Sequence, residues 1–207
     1  VIESRGLGDV YKRQLLFMAT VSLSLDEIYK LANKTLLANG CDQETADILS
    51  ELITNAERDG SLSHGLFRLP AYVSGLKSGK INGKQKPDIK KLTPSVIKAD
   101  GKNCLAPVVL NKSIPELVKA AKENGVAVLA IINSHHMAAM WPETEKIAEE
   151  GLVAFACTSY KPAVAPAGAI KPLFGTNPIS FAWPRKNNTP VVYLSLIHIS
   201  EPTRLDD

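Results

Sequence analysis

Apolar residues at helical spacing govern the first third of the chain. Leu25, Ile28, Leu31, Ala32, Thr35 and Leu36 recur at intervals of three and four behind Ser24 and Glu27. That pair is a capping box, in which each side chain can bond the other's backbone N–H, and Gly40 closes the run. Asp42 is placed to cap a second helix, with Ala46, Leu49, Ile53 and Ala56 on one face and Asp59-Gly60 as its stop. After a turn over residues 61–65, a third apolar stretch carries Pro70 near its start, where the missing N–H costs nothing, and ends at Gly79. Residues 80–100 mix lysine, proline and glycine with short apolar runs such as 95–99 and read as extended connecting structure. Ser113 and Glu116 repeat the capping-box pattern, with Pro115 in the expected first turn and Gly125 as the stop.

The period then changes. Residues 126–132 form a continuous apolar run rich in valine and isoleucine, the pattern of a strand buried on both faces. A short helix from about 142 to 150 and a second apolar run at 152–158 complete a β-α-β pattern, which predicts that the two runs pair in parallel. A third run, 179–183, follows Gly175-Thr176-Asn177-Pro178. The class implied is α/β, an N-terminal helical part followed by a partly parallel sheet. Ligands of open α/β sheets gather beyond the carboxyl ends of the strands. Asn133-Ser134-His135-His136 stands there after the first run and Thr158-Ser159 after the second.

Composition narrows the function. The chain has 207 residues, 45% hydrophobic and 22% charged, as globular proteins do. No stretch approaches the roughly 18 apolar residues of a membrane span, and the opening segment, with Glu3 and Asp9, lacks a signal-peptide core. A cytoplasmic protein without membrane attachment is expected. Cys41, Cys104 and Cys157 are far apart and form neither a disulfide framework nor a cysteine zinc site. The net charge is only +3 with the lysines dispersed, so nucleic acid is not the expected partner.

Residues 4–14 and 194–204 have an unusual relation. Codon by codon, each can be the reverse complement of the other: Gln14 as CAG pairs with Leu194 as CTG, Val10 as GTG with His198 as CAC, and Ser4 as TCT with Arg204 as AGA. Both peptides resemble the translation of a transposase adapter used in sequencing libraries. Residues 1–14 and 194–207 are therefore expected to be adapter-derived, leaving about 15–193 as the natural segment, with Met18 as a plausible start.

Three clusters could carry chemistry. His64, Arg68 and Tyr72 fall four apart, and a helix running through them would present an imidazole, a guanidinium and a phenol on one face. Arginine can grip a carboxylate through two hydrogen bonds, and histidine can exchange a proton near neutral pH. The same residues can equally be solvent-facing, with Tyr72 as packing. His135 and His136, being adjacent, point in different directions, so at most one faces a given site. A zinc site would need His64, His135 and His136 to converge, and no H-E-x-x-H supports it. A serine hydrolase built on Ser63 beside His64 lacks a G-x-S-x-G elbow. Gly175 to Pro178 can be a plain turn, or its backbone and the Thr176 hydroxyl can approach a ligand. There is no G-x-G-x-x-G and no Walker motif, so a bound dinucleotide would need another architecture.

Ser63-His64-Gly65 with Arg68 and Tyr72, Asn133-Ser134-His135-His136, and Phe174-Gly175-Thr176-Asn177-Pro178 together resemble the malate/L-lactate dehydrogenase family, which has a non-Rossmann fold. Glu57-Arg58-Asp59-Gly60-Ser61 and His135-His136-Met137-Ala138-Ala139-Met140-Trp141-Pro142 are most similar to its Δ1-piperideine-2-carboxylate/Δ1-pyrroline-2-carboxylate reductase branch. The resemblance runs from about Met18 to Tyr193, close to the first half of a family subunit, so the fold is expected to be truncated. Residues 15–100 would be the N-terminal helical part and 101–193 the first portion of the NAD(P)-binding domain.

The resemblance implies an enzyme, homodimeric when complete, that uses NADPH, with NADH possible, to reduce a cyclic imino acid to L-pipecolate or L-proline. It implies Ser63 and His64 as a proton-relay pair completed by an aspartate, and Arg68 as the carboxylate anchor, with Tyr72 and Thr176 near the substrate. His136, Met137, Ala138, Ala139 and Met140 would lie along the cofactor; in dehydrogenase relatives the histidine matching His136 is the acid/base. No metal is implied. The relay aspartate belongs to a segment that begins where Leu194 stands, so the chain by itself is expected to be inactive. Tyr160-Lys161 and Ala167 depart from the commoner family residues. The rival expectation is a dehydrogenase of 2-hydroxy acids such as malate, lactate or ureidoglycolate, acting on a 2-oxo acid in reverse. A zinc hydrolase or a non-catalytic fragment is the alternative of another class.

Overall fold

The caps form as the spacing predicts. In the computed structural model, which describes residues 21–135 and 138–195, the Ser24 hydroxyl accepts from the Glu27 N–H at 3.3 Å. The Glu27 carboxylate accepts from the Ser24 N–H at 2.8 Å and opens α1 (Leu25–Ala38). Asp42 caps α2 (Gln43–Arg58) by accepting from the Thr45 N–H at 2.9 Å, and Lys86 reaches the same carboxylate at 2.8 Å. Two single 3-10 turns, Leu62–His64 and Leu66–Arg68, lead into α3 (Leu69–Lys77), with Pro70 in its first turn.

The Asp42 cap gives a stability test. Burial opposes ionisation of this carboxyl, but Lys86 and the Thr45 N–H outweigh it and hold the pKa below the usual carboxylate value. A depressed native pKa contributes stability that is full above the unfolded pKa and lost as pH falls through the folded one. Asp42→Ala is expected to cost about 1 kcal/mol in urea unfolding at neutral pH. That difference should shrink below about pH 4; an undiminished difference in acid would contradict the role.

Residues 80–100 are more ordered than expected. They contain β1 (Asp88–Thr93) and β2 (Val96–Asp100), an antiparallel pair with Ile89 opposite Ala99. A crossover through α4 (Ala106–Asn124) then brings β3 (Val128–Ile132) alongside β2 in parallel, Val96 opposite Val128 and Asp100 opposite Ile132. The β-α-β unit is thus β2-α4-β3. The pairing predicted between the runs at 126–132 and 152–158 does not occur. After α5 (Trp141–Glu149), β4 (Ala154–Cys157) enters a second sheet, antiparallel to β5 (Ile179–Arg185), which pairs with β6 (Asn188–Ser195). Leu194 and Ser195, the first two residues of the expected adapter stretch, lie in β6 opposite Ser180 and Ile179.

Two further expectations change. Helix α4 begins at Ala106, so Ser113 and Pro115 lie inside it rather than at its start. Its N-cap, Leu105, has no side-chain bond, and Pro107 supplies the first-turn proline. Strand β3 is not buried on both faces. Leu129 and Ile131 lean on the core, while Val128, Ala130 and Ile132 face outward in this chain.

One core joins the helices to the first sheet. Leu36 of α1, Leu49 and Ile53 of α2, Tyr72 of α3, Ala99 of β2 and Val108 of α4 belong to a single buried cluster. A smaller cluster of Ala148, Ala154 and Ala182 seats α5 on the second sheet. No described helix is long and apolar enough to cross a membrane.

Candidate active site

The end of α2 and the start of α5 place the candidate imidazole. Helix α2 stops at Arg58, Gly60 turns the chain with φ of +72°, and the Ser61 N–H returns to the Ala56 carbonyl at 2.8 Å. The His64 N–H donates to the Ser61 carbonyl at 2.8 Å, closing the first 3-10 turn. This puts the Ser63 Oγ 3.0 Å and the Ser61 Oγ 3.5 Å from His64 Nδ1. Which group donates depends on the imidazole tautomer. On its other side the His64 ring meets Trp141 edge to face, 6.2 Å between centroids and 78° between planes. Trp141 opens α5 directly after Ala138-Ala139-Met140, so the imidazole stands beside the chain that leaves the parallel strand.

The helix imagined through His64, Arg68 and Tyr72 does not exist. Gly65, with ψ of -138°, breaks it into two turns before α3 starts. The side chains from Ser63 to Tyr72 that carry the motif nevertheless run in sequence from exposed to buried. Ser63 is exposed, His64 and Arg68 are half-buried, and Tyr72 is sealed in the core. The Arg68 Nε and the Tyr72 hydroxyl are both buried without a hydrogen-bond partner in the protein, so the guanidinium keeps a donor in reserve. Burial raises the Tyr72 phenol well above its usual pKa, with the Arg68 charge opposing, which fixes it as a neutral group. Phe67 and Leu62, 74% and 62% exposed, form an apolar rim around this turn.

Several groups tune the surroundings. Arg58 pairs with Asp59 at 2.8 Å. That contact, against an opposing effect of burial and with help from the Trp141 indole, holds the Asp59 carboxyl below its usual range. Glu145 on α5 moves the other way, raised by burial and then by Glu149 and Asp59.

The other predicted residues fall into separate places. His136 and Met137 lie outside the described residues. His135 is bound through its backbone to the start of α4: its N–H donates to the Cys104 carbonyl at 3.1 Å, and its carbonyl accepts from the Ala106 N–H at 2.9 Å. Ala139 and Met140 are buried. Thr176 is half-buried on the loop before β5, where Asn177 Oδ1 accepts from the Tyr160 N–H at 3.1 Å. A β-carbon on Gly175 would overlap the Tyr160 carbonyl, which explains the glycine. The described residues contain no group of three or more histidine, cysteine or acidic side chains placed to hold a metal.

Ala138 and Ala139 border a cavity of about 210 Å³ between α2, α4 and α5, with Asn55, Asn111, Pro142 and Lys146 on its walls. Sites that hold a whole drug-sized ligand span roughly 300–1,000 Å³. Small side chains and this volume suit one flat heterocycle. They do not suit an entire dinucleotide, whose phosphates would also meet Glu51 and Glu143 on the same walls.

Sequence reasoning missed Trp141, whose signal was its place at the first turn of α5, and Glu57, which accepts from the Leu66 N–H at 2.7 Å across the motif turn. A bond spanning nine residues leaves no periodic trace.

The family model described as malate/L-lactate dehydrogenase matches residues 23–193. Δ1-pyrroline-2-carboxylate reductase 1 of Burkholderia ambifaria is 40% identical over 176 residues, 85% of this chain and 52% of the relative. The crystal structure of Δ1-piperideine-2-carboxylate reductase from Pseudomonas syringae pv. tomato superposes with a TM-score of 0.80 at 40% identity, over 85% of this chain and 53% of that one. Malate dehydrogenase from Entamoeba histolytica gives a TM-score of 0.81 at 27% identity, over 88% and 51%. The chain spans about half the length of the curated relatives it matches.

Proposed function

The chain belongs to the malate/L-lactate dehydrogenase family, and from that premise we propose that the complete enzyme reduces a cyclic imino acid with NADPH. The substrates are Δ1-piperideine-2-carboxylate and Δ1-pyrroline-2-carboxylate, the products L-pipecolate and L-proline. One observation carries the reading: the Ser63–His64 contact at 3.0 Å, set against the Trp141 edge and followed one turn later by an arginine with an unspent donor. The 40% identity to a Δ1-pyrroline-2-carboxylate reductase supports the choice of substrate.

The division of labour follows from the chemistry. Reduction at C2 of an imine is eased when the ring nitrogen carries a proton, so an acid beside that nitrogen lowers the barrier. His64 is the group placed to hold that proton, with Ser63 bound to Nδ1 and fixing the ring. Arg68 anchors the substrate carboxylate, which sets the distance and the face of attack. The reduced nicotinamide supplies the hydride when bound. Ala138, Ala139 and Met140 would flank one ring of it, His136 and Met137 belong to the same stretch, and Thr176 serves the substrate. Tyr72, sealed in the core beside Arg68, acts through that arginine. The resemblance further carries a cytoplasmic homodimer without nucleic-acid or membrane partners.

The second reading, a 2-hydroxy acid dehydrogenase, is favoured by the fold likeness to the malate dehydrogenase. Initial rates of NADPH oxidation by the complete enzyme separate the two. A kcat/KM for Δ1-piperideine-2-carboxylate at least about tenfold above that for pyruvate or oxaloacetate is expected, a margin of about 1.4 kcal/mol; the reverse order would establish the dehydrogenase.

A further inference from the structure

We infer that Glu57 is a positioning residue for the catalytic turn: its carboxylate holds the backbone that aims His64, and it fills the space beside Gly65 that a side chain would take. This rests on the proposed role of His64. The observations are geometric. Glu57 lies in the last turn of α2 and is half-buried, and its Oε1 accepts from the Leu66 N–H at 2.7 Å. The bond crosses the whole Ser61–Gly65 turn. Together with the Ser61 N–H to Ala56 carbonyl bond at 2.8 Å, it ties both ends of the His64-bearing segment to the same helical turn.

Gly65 gives the independent half of the argument. Its φ of -85° is negative, so a left-handed backbone is not the reason for glycine here. A β-carbon at this position would instead overlap the Glu57 carboxylate and come within 2.7 Å of Glu57 Cγ. With ψ at -138°, the peptide between Gly65 and Leu66 is turned so that its N–H points at Glu57. Glutamate and glycine therefore act as one device.

A shift of about 1 Å in a catalytic group can cost about a hundredfold in rate. In the complete enzyme, Glu57→Ala is expected to lower kcat roughly tenfold to a hundredfold, with KM for the imino acid little changed. Glu57→Gln, whose amide oxygen can still accept from the Leu66 N–H, should keep most of the activity. Gly65→Ala should reproduce the Glu57→Ala loss by evicting the carboxylate. Hydrogen exchange at the Leu66 amide supplies a readout independent of turnover: faster in Glu57→Ala and Gly65→Ala, protected in Glu57→Gln.

A wild-type kcat in Glu57→Ala or an equal defect in Glu57→Gln would each overturn the inference. His64→Ala measured alongside separates the two levels. If it is inactive while Glu57→Ala is fully active, only the latch fails; if it is fully active, the role of His64 fails and the latch with it.

Discussion

Replacing His64 with alanine in the complete enzyme is expected to lower kcat by about 10²–10⁴-fold, the usual range for losing a positioned general acid. The imidazole is half-buried and stands outside the main buried cluster, so thermal unfolding should move little. Ser63 engages the imidazole at Nδ1, 3.0 Å away, which fixes the ring's orientation. The loss should therefore appear in kcat more than in KM. A variant that keeps full activity would remove His64 from the proton path.

The second large effect is expected at Arg68. Its Nε is buried with no acceptor in the protein, an arrangement that costs free energy unless something completes it. A charged hydrogen-bonded contact is worth about 1.5–3 kcal/mol. Arg68→Ala should therefore raise KM for the imino acid roughly 10- to 100-fold, and Arg68→Lys, which cannot make the two-pronged contact, should recover only part of it. A cyclic imine without the carboxylate should be turned over equally poorly by wild type and variant, because the contact at issue is absent in both. An unchanged KM in Arg68→Ala would show that the carboxylate is held elsewhere.

Local signals were legible wherever one residue decides the geometry. The Ser24 and Asp42 caps and the stops at Gly40, Gly60, Gly79 and Gly125 are all found where the sequence places them, each of these glycines with a positive φ. The Ser113 pattern misled because a capping box is only a donor and acceptor three residues apart. The apolar Leu105 that actually starts α4 carries no such mark. The pairing of strands was legible only in part. Apolar runs at 126–132 and 152–158 show that strands exist, but which neighbour each takes is settled by tertiary packing, here the seat of α5 on the second sheet. The run at 126–132 is apolar throughout, and its sequence cannot tell burial on two faces from burial on one. At the site, Ser63, His64 and Arg68 were readable as a motif, whereas the helix drawn through them failed at Gly65. Trp141 and Glu57 reach the turn from other elements, through contacts with no sequence period.

The most direct test of the account is a crystal structure of the complete enzyme with NADP⁺ and L-pipecolate bound. The expected result has the product nitrogen within hydrogen-bond reach of the His64 imidazole, its carboxylate on the Arg68 guanidinium, and the nicotinamide against Ala138-Ala139-Met140. Finding His64 and Arg68 on the outer surface, away from the ring and from the loop that leaves β3, would contradict it.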